Sequence, residues 1–443
     1  PEWDARITLF CEHSCRVEGI SMQRNRTATV LISLAIISGW SGVSRADDYP
    51  QWRGRERDGH AQEKGLLKTW PEGGPKLLWK IEGTGEGHST PSVAKGRIYG
   101  MGLRDGAEIV WALDEKTGKE VWAKKIADEI RLNAPQGGFG SRATPTVDGD
   151  RIYTLGVGGE LLCLKTKDGE IVWRKNLVMD FGGNVPSWGY SESPLVDGDR
   201  VIVTPGSGTA TIVALNKKTG DTLWKSQVAD GNGVSYSSAI AANYAGKRQY
   251  IQFLTGAVVG VDASTGATLW SFASPACRQG INCSTPLFQN GMVFAASAYQ
   301  NGGALGKLSQ KEGKIAVEEV YFSKEMQNHH GGMVLVDGYL YGFDNSNLTC
   351  LEFATGKIMW TNRSVGKGSV AYADGLLYCR SERGPVAIVE ANPKEYVEKG
   401  RLEQPNRSSA PSWPYPVIAN GKLYLRDMNA LLCYDGTNSG GGK

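Results

Sequence analysis

Ala112-Leu-Asp-Glu-Lys-Thr-Gly-Lys-Glu-Val-Trp122 decides the fold, because worn copies of this stretch recur along nearly the whole chain. Its turn glycine returns as Gly118, Gly169, Gly220, Gly266, Gly313 and Gly356, at intervals of 51, 51, 46, 47 and 43 residues. Four strands of about five or six residues, with four turns of about four to six, total roughly 42–46 residues, so one interval fits one four-stranded propeller blade. The Trp that ends the motif is kept as Trp122, Trp173, Trp224, Trp270 and Trp360, and Val317 or a neighbour stands there in the fifth unit.

A second pattern gives an independent count. A small or Pro-containing strand, a Gly turn and a β-rich strand appear at 89–99, 143–153, 193–202, 237–250, 284–294, 331–341, 368–378 and 414–424, which makes eight. The Thr-Gly-Trp signal is worn out around 391–396, and the last unit stops at Leu431-Leu-Cys-Tyr-Asp-Gly436 without a closing Trp strand. Lys76-Leu-Leu-Trp-Lys80 precedes the first complete unit. If that N-terminal strand completes the last blade, the ring closes and both exposed sheet edges disappear. The expected fold is all-β, an eight-bladed propeller over residues 76–436.

Composition agrees with strands and turns: 58 Gly, 17 Tyr and 13 Trp in 443 residues, with Asp-Gly and Asn-Gly punctuating runs of Val, Ile and Tyr. The ends read differently. Residues 22–46 have the form of an export signal, with basic Met22-Gln-Arg-Asn-Arg26, an apolar stretch over 28–43 and Ser44-Arg-Ala46 as a cleavage site. The apolar core is shorter than the ~20 residues that span a bilayer comfortably, and an uncleaved membrane anchor is the alternative. No Cys lies at the cleavage point, so no lipid anchor is expected there. Residues 1–21 precede an internal Met and read as an over-extended start, 47–75 as an N-terminal extension and 437–443 as a flexible tail. A periplasmic or extracellular location follows.

The whole chain carries a formal charge of +3. Setting aside residues 1–46, with five Arg and four acidic residues, leaves 44 basic against 42 acidic groups. Such a balance gives no case for nucleic acid or an anionic membrane as partner. Cys163, Cys350 and Cys433 fall where other repeats have Ala112, Ala214 and Gly260, so they are expected to be small buried residues. Cys277 and Cys283 flank one short loop and are candidates for a disulfide in an oxidising compartment.

Within the motif, Leu113, Leu164, Leu215, Val261 and Leu351 share one position in a half-buried strand. Asp114, Asn216 and Asp262 follow with short side chains suited to capping the Thr-Gly turn. The motif resembles the tryptophan-docking motif of the pyrroloquinoline-quinone (PQQ) repeat propellers, over roughly four fifths of the chain. Tyr49-Pro-Gln-Trp-Arg-Gly54 with Arg57-Asp-Gly59 is similar to the opening of exported PQQ-like propeller proteins of bacteria. The resemblance implies that Trp79, Trp122, Trp173, Trp224, Trp270 and Trp360 fasten blade to blade, a structural role that does not require the quinone.

Two classes of function stand. One is a PQQ-dependent quinoprotein dehydrogenase acting on alcohols or sugars. Family enzymes of that kind carry adjacent cysteines beside the quinone, a Ca²⁺ held by oxygen ligands and an Asp base. This chain has no Cys-Cys pair and no Cys-x-x-Cys-His haem motif, so no catalytic residue is assigned and no cofactor is expected. The other is a non-catalytic binding or interaction scaffold, similar to BamB-type propellers but without their lipid-anchor Cys. Aligning the eight units places His88, Arg142, Ser191, Tyr236, Cys283, His330, Lys367 and Trp413 at one position before the first strand. Equivalent positions in a closed ring meet at one channel mouth. Arg142, Lys367 and the imidazoles are candidate donors there, with Trp413 or Tyr236 as a stacking face, for a small polar or anionic ligand or an envelope protein; a solvated funnel is the alternative. Trp188, Tyr190, Trp413 and Tyr415, on the loops 182–190 and 408–416, together with the loop 133–140, belong to the same expected face. No metal site is expected of His329-His330, since adjacent side chains on an extended strand point to opposite faces.

Overall fold

The computed structural model describes residues 47–130, 132, 140–229 and 233–437; the signal-like stretch, most of the 133–140 loop and the tail beyond 437 lie outside these. Eight sheets follow one another along the described chain, seven antiparallel with four strands and one with five, whose added strand His60–Ala61 pairs in parallel. Blades 1 to 7 occupy 92–128, 146–176, 195–226, 240–272, 287–323, 333–362 and 368–402. Blade 8 is made of 417–435 with the strand Leu77–Glu82 added from the other end of the propeller. Trp79 there pairs with Cys433 and Lys80 with Leu432, so the ring closes through the N-terminal strand as the count requires.

Burial explains the strand chemistry. The third strand of each blade lies between neighbouring blades, and Leu161–Leu164 and Val258–Val261 are buried on both faces, hence their unbroken apolar runs. The outermost strands face solvent on one side, and Thr222–Ser226 alternates in burial where it carries Trp224.

The fastening between blades is visible ring by ring. Gly118, Gly169, Gly220, Gly266 and Gly356 all have φ between 70° and 77°, and an added Cβ at Gly169 or Gly266 would come within 2.7 or 2.4 Å of the Trp122 or Trp224 ring of the preceding blade. Glycine is thus needed both for the turn and for the approach of the indole. Trp122, Trp173, Trp224 and Trp360 also donate their indole N–H to the next blade, to the carbonyls of Thr166, Lys217, Ala263 and Asn392. The turn itself is capped as expected, Asp114 Oδ1 accepting from the Thr117 N–H and hydroxyl. Cys163, Cys350 and Cys433 are buried and pair directly with Trp173, Trp360 and Trp79.

Two blades depart from this pattern. In blade 5 the outer hairpin is long, with strands Gly302–Lys311 and Lys314–Ser323, so the Gly313 turn is carried away from the ring of contacts and meets nothing. Tyr321, rather than Val317, stands at the Trp register opposite Leu305. Its hydroxyl donates to the Phe353 carbonyl and its ring packs on Gly356. Trp270, deprived of a Gly313 turn, donates instead to Gln249 Oε1 within its own blade. In blade 7 the Trp register falls on Gly400, and the space is filled from the extension: Trp70, nearly buried, packs edge-on to Tyr378 while its backbone N–H donates to the Lys399 carbonyl.

The extension also occupies the propeller axis. Residues 49–60 touch blade after blade. Tyr49 bridges to Val93 and the Val147 N–H donates to the Pro50 carbonyl. Arg57 donates to the carbonyls of Ser193 and Pro194, and the Trp52 indole donates to Thr285 Oγ1. Arg53 donates to the Met333 carbonyl, and His60 pairs with Tyr372. Both arginines are buried and donate to backbone carbonyls in separate parts of the ring, Arg57 at the start of blade 3 and Arg53 at the start of blade 6.

Candidate functional site

His88, Arg142, Ser191, Tyr236, Cys283 and Trp413 each stand four residues ahead of the strand that opens their blade. With His330 and Lys367 from blades 6 and 7, all eight line a single cavity of about 230 Å³. The repeat therefore delivers eight unlike side chains to one place by construction. Trp52 of the axial segment lines the same cavity, edge-on to Tyr415 at 4.7 Å, so the extension supplies part of the wall of a cup.

Trp413 is the centre of its aromatic and cationic contacts. The His88 ring lies 4.4 Å from it, His330 5.2 Å, and the Arg142 guanidinium 5.2 Å above its face, a geometry in which cation and ring quadrupole attract. Burial lowers the Arg142 pKa to about 10, which still leaves it charged at neutral pH. On the other side Trp188 meets Tyr236 edge-on at 5.7 Å. Trp188, Trp413 and Tyr415 line the cup, but Tyr190 does not: it is fully buried in the blade core, its hydroxyl donating to the Pro205 carbonyl. Residues 133–139 of the expected face lie outside the described residues.

Blades 5 to 7 contribute a polar cluster. Lys367 Nζ is 2.9 Å from His329 Nδ1 and 3.1 Å from Glu382 Oε1, and His330 Nε2 is 2.5 Å from the same carboxylate oxygen. Tyr299 Oη is 2.9 Å from His329 Nε2. An ammonium can only donate, so His329 Nδ1 is an acceptor and Nε2 carries the proton, which it donates to Tyr299. Burial pushes both imidazoles below their usual range, His329 to about 2, so both are neutral at neutral pH. Burial favours protonating Glu382, but the His330 contact and the Lys367 charge outweigh it and hold the carboxyl at about 2.

Sequence reasoning missed Glu382 and Tyr299. Both sit on the turns between second and third strands, 381–386 in blade 7 and 297–302 in blade 5, which also reach the mouth. Treating those turns as a further set of equivalent positions would have found them. The premise used against His329-His330 also fails. The strand of blade 6 begins at Met333, and the two histidines precede it in a bend that brings their rings to 4.7 Å. The Cys277–Cys283 bridge is not formed either: both are free thiols. The loop curls around Asn282, which accepts from the Cys277 N–H and donates to the carbonyls of Leu254 and Thr255; Cys283 is left facing the cup, and the Cys277 thiol turns to the Ile281 carbonyl.

Among the described residues no helix is long and apolar enough to cross a membrane. A family profile described as outer membrane protein assembly factor BamB matches residues 61–131 and 106–362. A protein of that name from Shewanella oneidensis is 26% identical over 377 residues, covering 81% of this chain and 88% of its own length. Tetrathionate hydrolase of Acidithiobacillus ferrooxidans is 23% identical over 79% of this chain but 51% of its own. Among solved structures, BamB of Moraxella catarrhalis superposes with a TM-score of 0.58 at 16% identity, over 82% of this chain and 99% of its own. The quinohemoprotein alcohol dehydrogenase of Comamonas testosteroni gives 0.60 at 11%, over 89% and 82%, a likeness of fold alone. With the profile covering well over half of its length, the chain belongs to the BamB outer membrane protein assembly factor family of PQQ-like propellers.

Proposed function

We propose that the protein is an exported, non-catalytic binding scaffold whose working surface is the cup at the mouth of the propeller. The observation that carries this reading is the contrast between repeated and unrepeated positions. Where blades meet, the same indole and glycine recur; at the mouth, one backbone position presents Arg142, Tyr236, His330, Lys367 and Trp413 to a shared cavity. Convergent donors and aromatic faces in a concave site suit recognition of a polar group on a partner. The relatives named as outer membrane protein assembly factors support an envelope protein as that partner and export of the chain, for which residues 22–46 have the form of a signal. Neither PQQ nor Ca²⁺ has a part in this reading.

The test is capture from an envelope extract, comparing wild type with an Arg142→Ala/Trp413→Ala double variant whose folding is checked by circular dichroism. Partners held by wild type and lost by the variant support the cup as the contact surface; unchanged capture removes it. In parallel, protein incubated with PQQ and Ca²⁺ is offered alcohols and sugars with an artificial electron acceptor. Turnover would replace this reading with a quinoprotein oxidoreductase.

A further inference from the structure

Among the described residues, His329, His330 and Glu382 are a group of three potential metal ligands whose donor atoms all lie within 4.8 Å of one another. Two imidazoles and a carboxylate form a donor set suited to zinc and its neighbours in the first transition row, not to Ca²⁺ or Mg²⁺. Donors bound at about 2.0–2.2 Å in a tetrahedron stand roughly 3.3 Å apart, so the cluster needs rearrangement of about an ångström, within the reach of side-chain rotation. The second shell is in place. His329 presents Nδ1 as a lone pair to the Lys367 ammonium and directs its Nε2–H at Tyr299, an orienting contact of the kind that ligating histidines have. The backbone of His330 is pinned by the Tyr415 hydroxyl, which donates to its carbonyl at 2.6 Å. Neither ring nitrogen of His330 makes a hydrogen bond of sound geometry, although Nε2 approaches Glu382 so closely.

The position where a cation is best stabilised is marked by the protein's own ammonium. Lys367 Nζ sits between His329 Nδ1 and Glu382 Oε1, and its side chain is 35% exposed, so it can swing into solvent when a metal ion takes over those two contacts. We propose that His329, His330 and Glu382 form a binding site for a divalent transition-metal ion of the zinc class, with Lys367 as an internal competitor that holds the site when metal is scarce. The remaining coordination positions of such an ion face the cup.

Co²⁺ and Zn²⁺ are the probes. The mature protein is titrated with Co²⁺ and its visible absorption followed, and Zn²⁺ is then used to displace it, with calorimetry giving the stoichiometry. One equivalent of Co²⁺, with an absorption band typical of nitrogen and oxygen ligation, is expected. His330→Ala and Glu382→Gln should each weaken binding at least tenfold, while Lys367→Met, which removes the competitor and leaves all three ligands, should tighten it about tenfold. Thermal unfolding without metal checks that each variant is folded, and His329→Gln serves if either of the first two is not. No stoichiometric binding, binding insensitive to the ligand variants, or Lys367→Met binding no tighter than wild type would overturn the proposal.

Discussion

Trp70→Ala should cost as much stability as removing one of the repeated tryptophans, although Trp70 lies in the extension and outside every copy of the motif. The indole is 8% exposed and stands at the register where blade 7 has Gly400. Burying a Trp removes on the order of 150–250 Å² from water, worth about 4–6 kcal/mol at ~25 cal/mol per Å². The methyl group of Ala retains a little of that, so a loss of about 3–5 kcal/mol is expected. Gly400 supplies the internal control. A Cβ there would lie 2.5 Å from Trp70 Cβ and 2.8 Å from its backbone nitrogen, so Gly400→Ala should unseat the same segment. The double variant should then lose scarcely more than the worse single, because the second change strikes contacts already gone. Urea unfolding of the four proteins, followed by far-ultraviolet circular dichroism, gives the cycle. A loss below about 1 kcal/mol for Trp70→Ala, or additive losses in the double variant, would refute the claim that the extension completes blade 7.

Tyr321→Phe removes the hydroxyl that reaches the Phe353 carbonyl and should cost about 0.5–1.5 kcal/mol in urea unfolding; no loss would deny Tyr321 the fastening role. Glu108 is buried between Ser141 and the Val157 N–H, and burial raises its carboxyl to about 7. A folded pKa above the unfolded value means that its contribution is full below about pH 4.5 and is lost as pH rises through about 7, by up to roughly 3 kcal/mol. Stability measured between pH 4.5 and 8 should therefore fall less steeply in Glu108→Gln, and equal slopes would contradict this. Since Cys277 and Cys283 are free thiols, a reducing agent should leave the melting temperature unchanged; a fall of several degrees would reveal a bridge.

Glycine spacing and the Trp series set the blade period and placed the closing strand, and the recurring strand-turn-strand pattern counted eight blades, because turn glycines and docking indoles are demanded by contacts that most blades repeat. The eight mouth residues were legible for the same reason: rotational equivalence brings equal positions together whatever their side chains. Blade 5 was only half legible. Its long hairpin shifts the register, and the distance between Val317 and Tyr321 is a pairing question that spacing does not answer.

What the sequence by itself determined is the scaffold, since a period repeated along the chain over-specifies the local structure of each unit. Only the tertiary structure decided what fills the places where the repeat fails. Trp70 stands in for a missing indole, Arg53 and Arg57 tie the axis to blades far apart in the chain, and Glu382 and Tyr299 join the histidines at the mouth. Arg53 and Met333, for one, stand 280 residues apart, and such contacts arise from closure of the ring, which no local pattern encodes.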